Sequence, residues 1–258
     1  MDLDDDRPSA PAASALDPGL AALRFLGGFF VLRTGAPPGA PLPTLAEAYA
    51  VPPAGSRDAL ADRVRRVADA LAAPEVRVAA SVAQQALAAR LWSVALGCAV
   101  RYGRLPDLDP RLLRWDPAGS APGDLWLTVV RPGADGNAEA VAEAVLHGHL
   151  EPLNAAVRAR YRPASGLLWG NAASALVGAA RQLVGRASEQ GRPDTAERVR
   201  VLAAEILAHP LLAGTGTFAA PGSLTGFRRR SCCLYYRIPA GGYCGDCCLP
   251  RPARTPAP

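Results

Sequence analysis

The chain has 258 residues, half of them hydrophobic and a fifth charged, enough apolar material for one large domain or a domain with a small appendage. All 28 basic residues are arginine, and the net charge of +5 excludes neither an anionic ligand nor a neutral one. It falls short of a nucleic-acid footprint unless the charge is clustered.

Alanine, leucine and arginine dominate and aromatics reach only 6%, so helices are the expected packing unit. "MDLDDDRPSAPAAS" is acidic where a secretory signal needs a basic start, and residues 1–14 read as a disordered leader. "GLAALRFLGGFFVL" carries Arg24 and is too short to span a bilayer, so it reads as a core helix, or a helix followed by a turn. No transmembrane segment is expected, and a cytoplasmic location follows as the default.

The Pro/Gly stretch "TGAPPGAPLPT" separates this segment from a short helix at 45–50. Ser56 is the expected N-cap of the next helix, on which Leu60, Val64, Val67 and Leu71 recur at helical spacing until Pro74. "EVRVAASVAQQALAARLWSVALGCAVRYG" becomes apolar all round towards its end, which predicts a central buried helix holding Cys98. "RLLRW" and "DLWLTVV" flank a Pro/Gly/Ser turn and predict a β-hairpin. Three further helical stretches run from Ala138 to about Pro210, and irregular chain follows.

Within that helical region, His147 and His149 are two apart, so a regular helix puts them on different faces; they are expected to cap a helix end or lie exposed. His209 precedes Pro210 and marks a helix terminus. "LLWGNAASAL" sets Trp169, Asn171 and Ser174 among small residues. It reads as a close helix crossing, with a polar wall towards a ligand as the functional alternative. Neither a phosphate-binding loop nor a dinucleotide fingerprint is present.

The chemistry concentrates in "RRRSCCLYYRIPAGGYCGDCC", which holds five of the six cysteines. Two adjacent thiols, Cys232 and Cys233, precede a C-x-x-C formed by Cys244 and Cys247, and Cys248 adjoins the last. In a C-x-x-C turn two sulfurs converge while the intervening amides face them; Gly245 is small enough for close backbone approach, and Gly241 and Gly242 supply the reversal. A disulfide framework is disfavoured by the lack of a secretory signal, and the vicinal pair counts against a zinc knuckle. Between zinc and an iron–sulfur cluster the spacing alone does not choose, and it points to a metal lobe. Arg228, Arg229, Arg230 and Arg237 read equally as a solvated basic turn or as charge opposing an anionic centre. Phe227, Tyr235, Tyr236 and Tyr243 are available to screen it, though packing of a small lobe accounts for them as well.

The segment resembles the C-terminal signature of the FhuF-like ferric iron (ferric-siderophore) reductase family, and "LLWGNAASALVGAARQL" is loosely similar to a stretch in the helical part of some members. The resemblance implies a [2Fe–2S] cluster on Cys232, Cys233, Cys244 and Cys247, with Cys248 an extra thiol that reads as filler. It implies one-electron reduction of a ferric siderophore in the cytoplasm, fed by a separate ferredoxin- or flavoprotein-like donor, with no nucleic-acid partner. Arg228, Arg229, Arg230, Arg237, Trp169 and Asn171 are the candidate substrate or electrostatic residues around it. The expected architecture is mainly α: a helical body over 15–220 with a minor hairpin, a cysteine-rich lobe over 221–250 and a disordered tail over 251–258. The alternatives are a zinc-stabilised nucleic-acid or protein-binding module, or an iron- or redox-sensing iron–sulfur protein.

Overall fold

The computed structural model describes residues 20–220 and 223–250; the expected leader and tail lie outside the described residues. The first apolar segment forms two short 3-10 turns, Leu23–Leu26 and Gly28–Phe30, broken by Gly27 at φ +120°. Strand β1 is Arg33–Thr34. Helix α1, Leu45–Tyr49, starts on a capping box in which Thr44 and Glu47 satisfy each other's backbone N–H.

Helix α2 spans Ala59–Ala70, and its N-cap is Asp58, which accepts from Ala61 N–H. The expected cap, Ser56, instead donates to Pro53 O and lies outside the helix. They are two positions apart, with Arg57 between them, and both types cap well, so composition alone does not decide.

Helix α3, Val76–Tyr102, is the buried axis of the molecule, as its apolar run predicts, and it stops at Gly103 in the left-handed conformation (φ +67°). One charged side chain is buried within it. Arg90 pairs with Asp124 at 2.9 Å and donates to the carbonyl of Val31 at 2.7 Å and to that of Phe29, fastening the N-terminal turns to the core.

Strands β2 (Arg104–Pro106), β3 (Leu113–Trp115), β4 (Leu125–Leu127) and β5 (Pro132–Asp135) follow. The expected hairpin is β3 against β4, antiparallel with Leu113 opposite Leu127. Two pairings exceed the expectation: β1 joins β4 in parallel, and β2 pairs with β5 in a separate ribbon. Neither β1 nor β2 exceeds three residues, too short to show a period-2 pattern.

Helix α4 (Ala138–Ala142) runs into a π-helical segment, Glu143–Leu150, and then α5 (Glu151–Tyr161). Helix α6 (Ser165–Glu189) lies along α3, and α7 (Pro193–Leu207) packs on α6. Gly170, Ala172, Ala173 and Ala175 bring α6 close to its neighbours, which is the helix crossing the small residues predict. Strands β6 (Gly216–Thr217) and β7 (Arg228–Arg229) pair to open the cysteine-bearing segment, which continues through a 3-10 turn at Tyr235–Arg237. The chain is mainly α, with short strands and an irregular cysteine-rich end. No helix among the described residues is long and apolar enough to cross a membrane.

Candidate metal centre

The cysteine segment folds onto the N-terminal parts of α3 and α6, and polar side chains on those helices hold it there. Ser81 donates to Cys233 O at 2.8 Å, and Ser231 donates to Gly166 O at 2.8 Å. Asp246, inside the C-x-x-C, is buried; its carboxylate accepts from Ser174 at 2.6 Å and Arg181 at 2.8 Å. Arg237 reaches across to Glu75 at 2.6 Å. A Cβ on Gly170 would stand 2.3 Å from Ser231 Oγ, so the absence of a side chain there is what lets the segment seat against α6.

All six cysteines are free thiols. Cys98 is fully buried in α3, away from the other five, and burial pushes its thiol up to about 12. At the C-terminal site Cys233 and Cys244 meet sulfur to sulfur. The hydrogen bond from Cys244, then the Tyr235 amide and the Arg229 charge, draw the Cys233 thiol down against the cost of burial. That bond, with burial, raises Cys244. Cys232 is raised chiefly by burial, and Cys233, Cys248 and Cys247 lie within its electrostatic reach.

Backbone geometry aims donors at these sulfurs. Leu234 adopts the left-handed conformation (φ +69°) and the right-handed 3-10 turn follows, a succession that gathers neighbouring amides into an anion-binding nest. Leu234 N–H donates to Cys232 Sγ at 3.3 Å, Tyr235 N–H to Cys233, and Asp246 N–H to Cys244. Gly241 lets the loop reverse: a Cβ there would lie 2.2 Å from Tyr235 O. Gly245 plays no such part in the reversal, since a Cβ there would meet nothing within 4 Å beyond its chain neighbours.

The basic run divides. Arg229 is 2% exposed and donates to Asn171 Oδ1 and, at 3.5 Å, to Leu167 O, while Arg228 and Arg230 face solvent. With its middle member buried, the run is not the continuous basic surface that a nucleic-acid reading requires. Arg237 is occupied by Glu75 and Tyr236. Trp169 is half-buried against the core. Asn171 is fully buried and donates to Ser81 and Gln84, so it faces the cysteine segment through Arg229. Phe227 packs on Phe218, whereas Tyr236 (42% exposed) and Tyr243 (43%) are too open to screen the thiols.

His149, expected at a cap or in solvent, is fully buried between Tyr49 Oη and Leu108 O. His147 meets Glu151 and the ring of His209 instead. The sequence reading also passed over Ser81, Gln84, Arg181, Glu75 and Asp246. For Ser81 and Gln84 there was a signal: they stand three apart on a helix expected to be buried, where a polar side chain must serve something buried.

This donor set fits an anionic two-iron centre. Two nitrogens of the buried Arg229 guanidinium, Nε and Nη1, have no partner among the described residues, and amides already point at three of the sulfurs. Among the described residues no three His, Cys, Asp or Glu side chains converge as one metal ion requires. Cys233 and Cys244 stand sulfur to sulfur within the segment. A cleft of about 670 Å³, lined by Phe227, Arg228, Gly245, Cys247 and Cys248 among others, opens beside them.

Comparison with known proteins agrees with this chemistry. No curated protein matches the chain. Residues 229–249 match the family model described as the FhuF 2Fe-2S C-terminal domain, a stretch that starts at Arg229 and includes Cys232, Cys233, Cys244, Cys247 and Cys248. The zinc alternative gives way to this match: the chain carries a C-terminal domain of the FhuF 2Fe–2S type, and its cofactor is a [2Fe–2S] cluster.

Proposed function

We propose that this iron–sulfur protein is an oxidoreductase that passes single electrons to ferric iron held in a siderophore, in the cytoplasm. The observation that carries the reading is the family match over the cysteine segment together with the cleft that opens directly on Cys247 and Cys248. In this reading Cys232, Cys233, Cys244 and Cys247 ligate the cluster. The lobe over 221–250 is the redox unit and the helical body over 15–220 is the platform that holds it. When bound, the [2Fe–2S] group supplies a one-electron centre.

The residues around it do the rest. Amides of Leu234, Tyr235 and Asp246 stabilise charge on the sulfurs, and Arg229 adds a positive one. The exposed Arg228 on the cleft wall attracts an anionic ferric chelate and holds it within reach of Cys247. Hard oxygen donors hold Fe(III) better than Fe(II), so one electron delivered there loosens the metal without breaking the chelator. That electron comes from a separate ferredoxin- or flavoprotein-like carrier, since the sequence holds no dinucleotide fingerprint.

The test is to mix the reduced, cluster-loaded chain with ferric hydroxamate and ferric catecholate siderophores and a ferrous-specific chromophore. The expected result is re-oxidation of the cluster with release of one Fe(II) per electron. A reduced cluster that no ferric siderophore re-oxidises overturns the reading.

A further inference from the structure

We infer that Arg229 is the buried cation of the metal centre: its free Nε–H and Nη1–H groups donate to the sulfur face of the bound cluster, and Asn171 holds the guanidinium there. The argument starts from an imbalance. Arg229 is 2% exposed, and a buried guanidinium is costly unless its charge is matched and its five N–H groups are satisfied. Among the described residues no carboxylate pairs with it. The one on the same segment, Asp246, is taken by Ser174 and Arg181. Only Nη2 is engaged, by Asn171 Oδ1 and Leu167 O.

The unmatched charge stands beside the thiols. The backbone N–H of Arg229 donates to Asp246 O, between Cys244 and Cys247, at 3.0 Å, and its charge acts on both Cys233 and Cys244. An anionic cluster held by four thiolates has the acceptors and the negative charge that this side chain lacks.

Asn171 is the positioning residue. Its amide donates to Ser81 O and Oγ, both at 3.0 Å, and to Gln84 Oε1 at 2.9 Å, which turns its oxygen towards Arg229. Gln84 is itself held by Asn154 at 2.9 Å. The guanidinium is therefore braced through α3 and α6 rather than by the lobe alone. Reduction adds negative charge, so a fixed cation and two hydrogen bonds favour the reduced state and raise the potential.

Two measurements on the cluster-loaded full chain test this. In the first, protein grown with arginine labelled by ¹⁵N only in the guanidinium is reduced and studied by pulsed electron paramagnetic resonance. The expected result is a guanidinium nitrogen coupling, with exchangeable protons beside it, that persists in the Arg228→Gln and Arg230→Gln variants and vanishes in Arg229→Lys. In the second, Arg229→Gln lowers the midpoint potential, so that at fixed poise the reduced-to-oxidised ratio falls about tenfold, or about 59 mV for one electron. A wild-type spectrum with no guanidinium coupling overturns the inference, as does an Arg229→Gln cluster at the wild-type potential. If that variant does not load, the wild-type spectrum decides. Both readouts are taken at the cluster, so they stand whether or not any ferric siderophore is a substrate.

Discussion

Burial and hydrogen bonding sort the thiols before any metal is considered. Cys98 is sealed in α3 with its thiol pushed up to about 12, so it stays protonated. Cys233 and Cys244 are hydrogen-bonded to each other, and Cys232 accepts an amide. Cys248 is partly buried on the wall of the cleft. Replacing any one of Cys232, Cys233, Cys244 or Cys247 by serine should therefore abolish the visible iron–sulfur absorption and the acid-labile sulfide. Cys248→Ser should keep both, and its loss of cluster would mean the fifth thiol is a ligand. A second residue-scale prediction concerns the body. Removing Asp124 strands Arg90 as a buried charge, so Asp124→Ala should cost about 3–5 kcal/mol in urea unfolding. A loss under about 1 kcal/mol would show that the carbonyls of Phe29 and Val31 satisfy Arg90 without it.

The stretch from Cys233 to Cys247 is an element whose glycines look alike in sequence and differ in space. A Cβ on Gly241 would lie 2.2 Å from the Tyr235 carbonyl and 2.9 Å from that of Ile238, and backbone does not yield as a flexible side chain does. Gly241 N–H also closes the turn onto Ile238 O at 2.9 Å. Gly245 has nothing within 4 Å of such a Cβ and does not adopt a positive φ. Gly241→Ala should thus shift the 3-10 turn that directs the Tyr235 amide and lower iron retained per chain several-fold, while Gly245→Ala should leave it at the wild-type level. Iron and sulfide analysis after gel filtration separates the two, and equal retention would show that the loop relaxes freely. The turn is short and carries little packing of its own, so its shape depends on these contacts.

At the scale of the whole molecule, what could be read in advance was what is local. Helical spacing located every long helix, and the ten residues between Cys233 and Cys244 pointed to the cluster segment. The docking contacts were hidden because they join distant positions: Ser81 to Cys233 and Glu75 to Arg237 are more than 150 residues apart, and no periodicity encodes such pairs. His149 shows how a local rule fails. The face argument assumed 3.6 residues per turn, but the segment Glu143–Leu150 is π-helical, with a wider turn that carries His149 inward. There it links α1 and the loop before β3 to the helical body, donating from Nε2–H to Leu108 O at 2.7 Å and accepting at Nδ1 from the Tyr49 hydroxyl at 3.0 Å. Burial lowers its pKa to about 4, only partly offset by the Leu108 carbonyl and Asp109. The unfolded chain titrates near 6.5, so above that pH both states are neutral here and no stability is lost. As the pH falls from about 6.5 towards 4 the unfolded state takes up the proton first, and the fold weakens by about 1.4 kcal/mol per unit, or about 2 kcal/mol by pH 5. His149→Gln, which can still donate to Leu108 O, removes the titration. Urea unfolding from pH 7.5 to 5 should therefore show a steeper acid loss in the wild type than in the variant, and parallel curves would mean that His149 takes up its proton while buried.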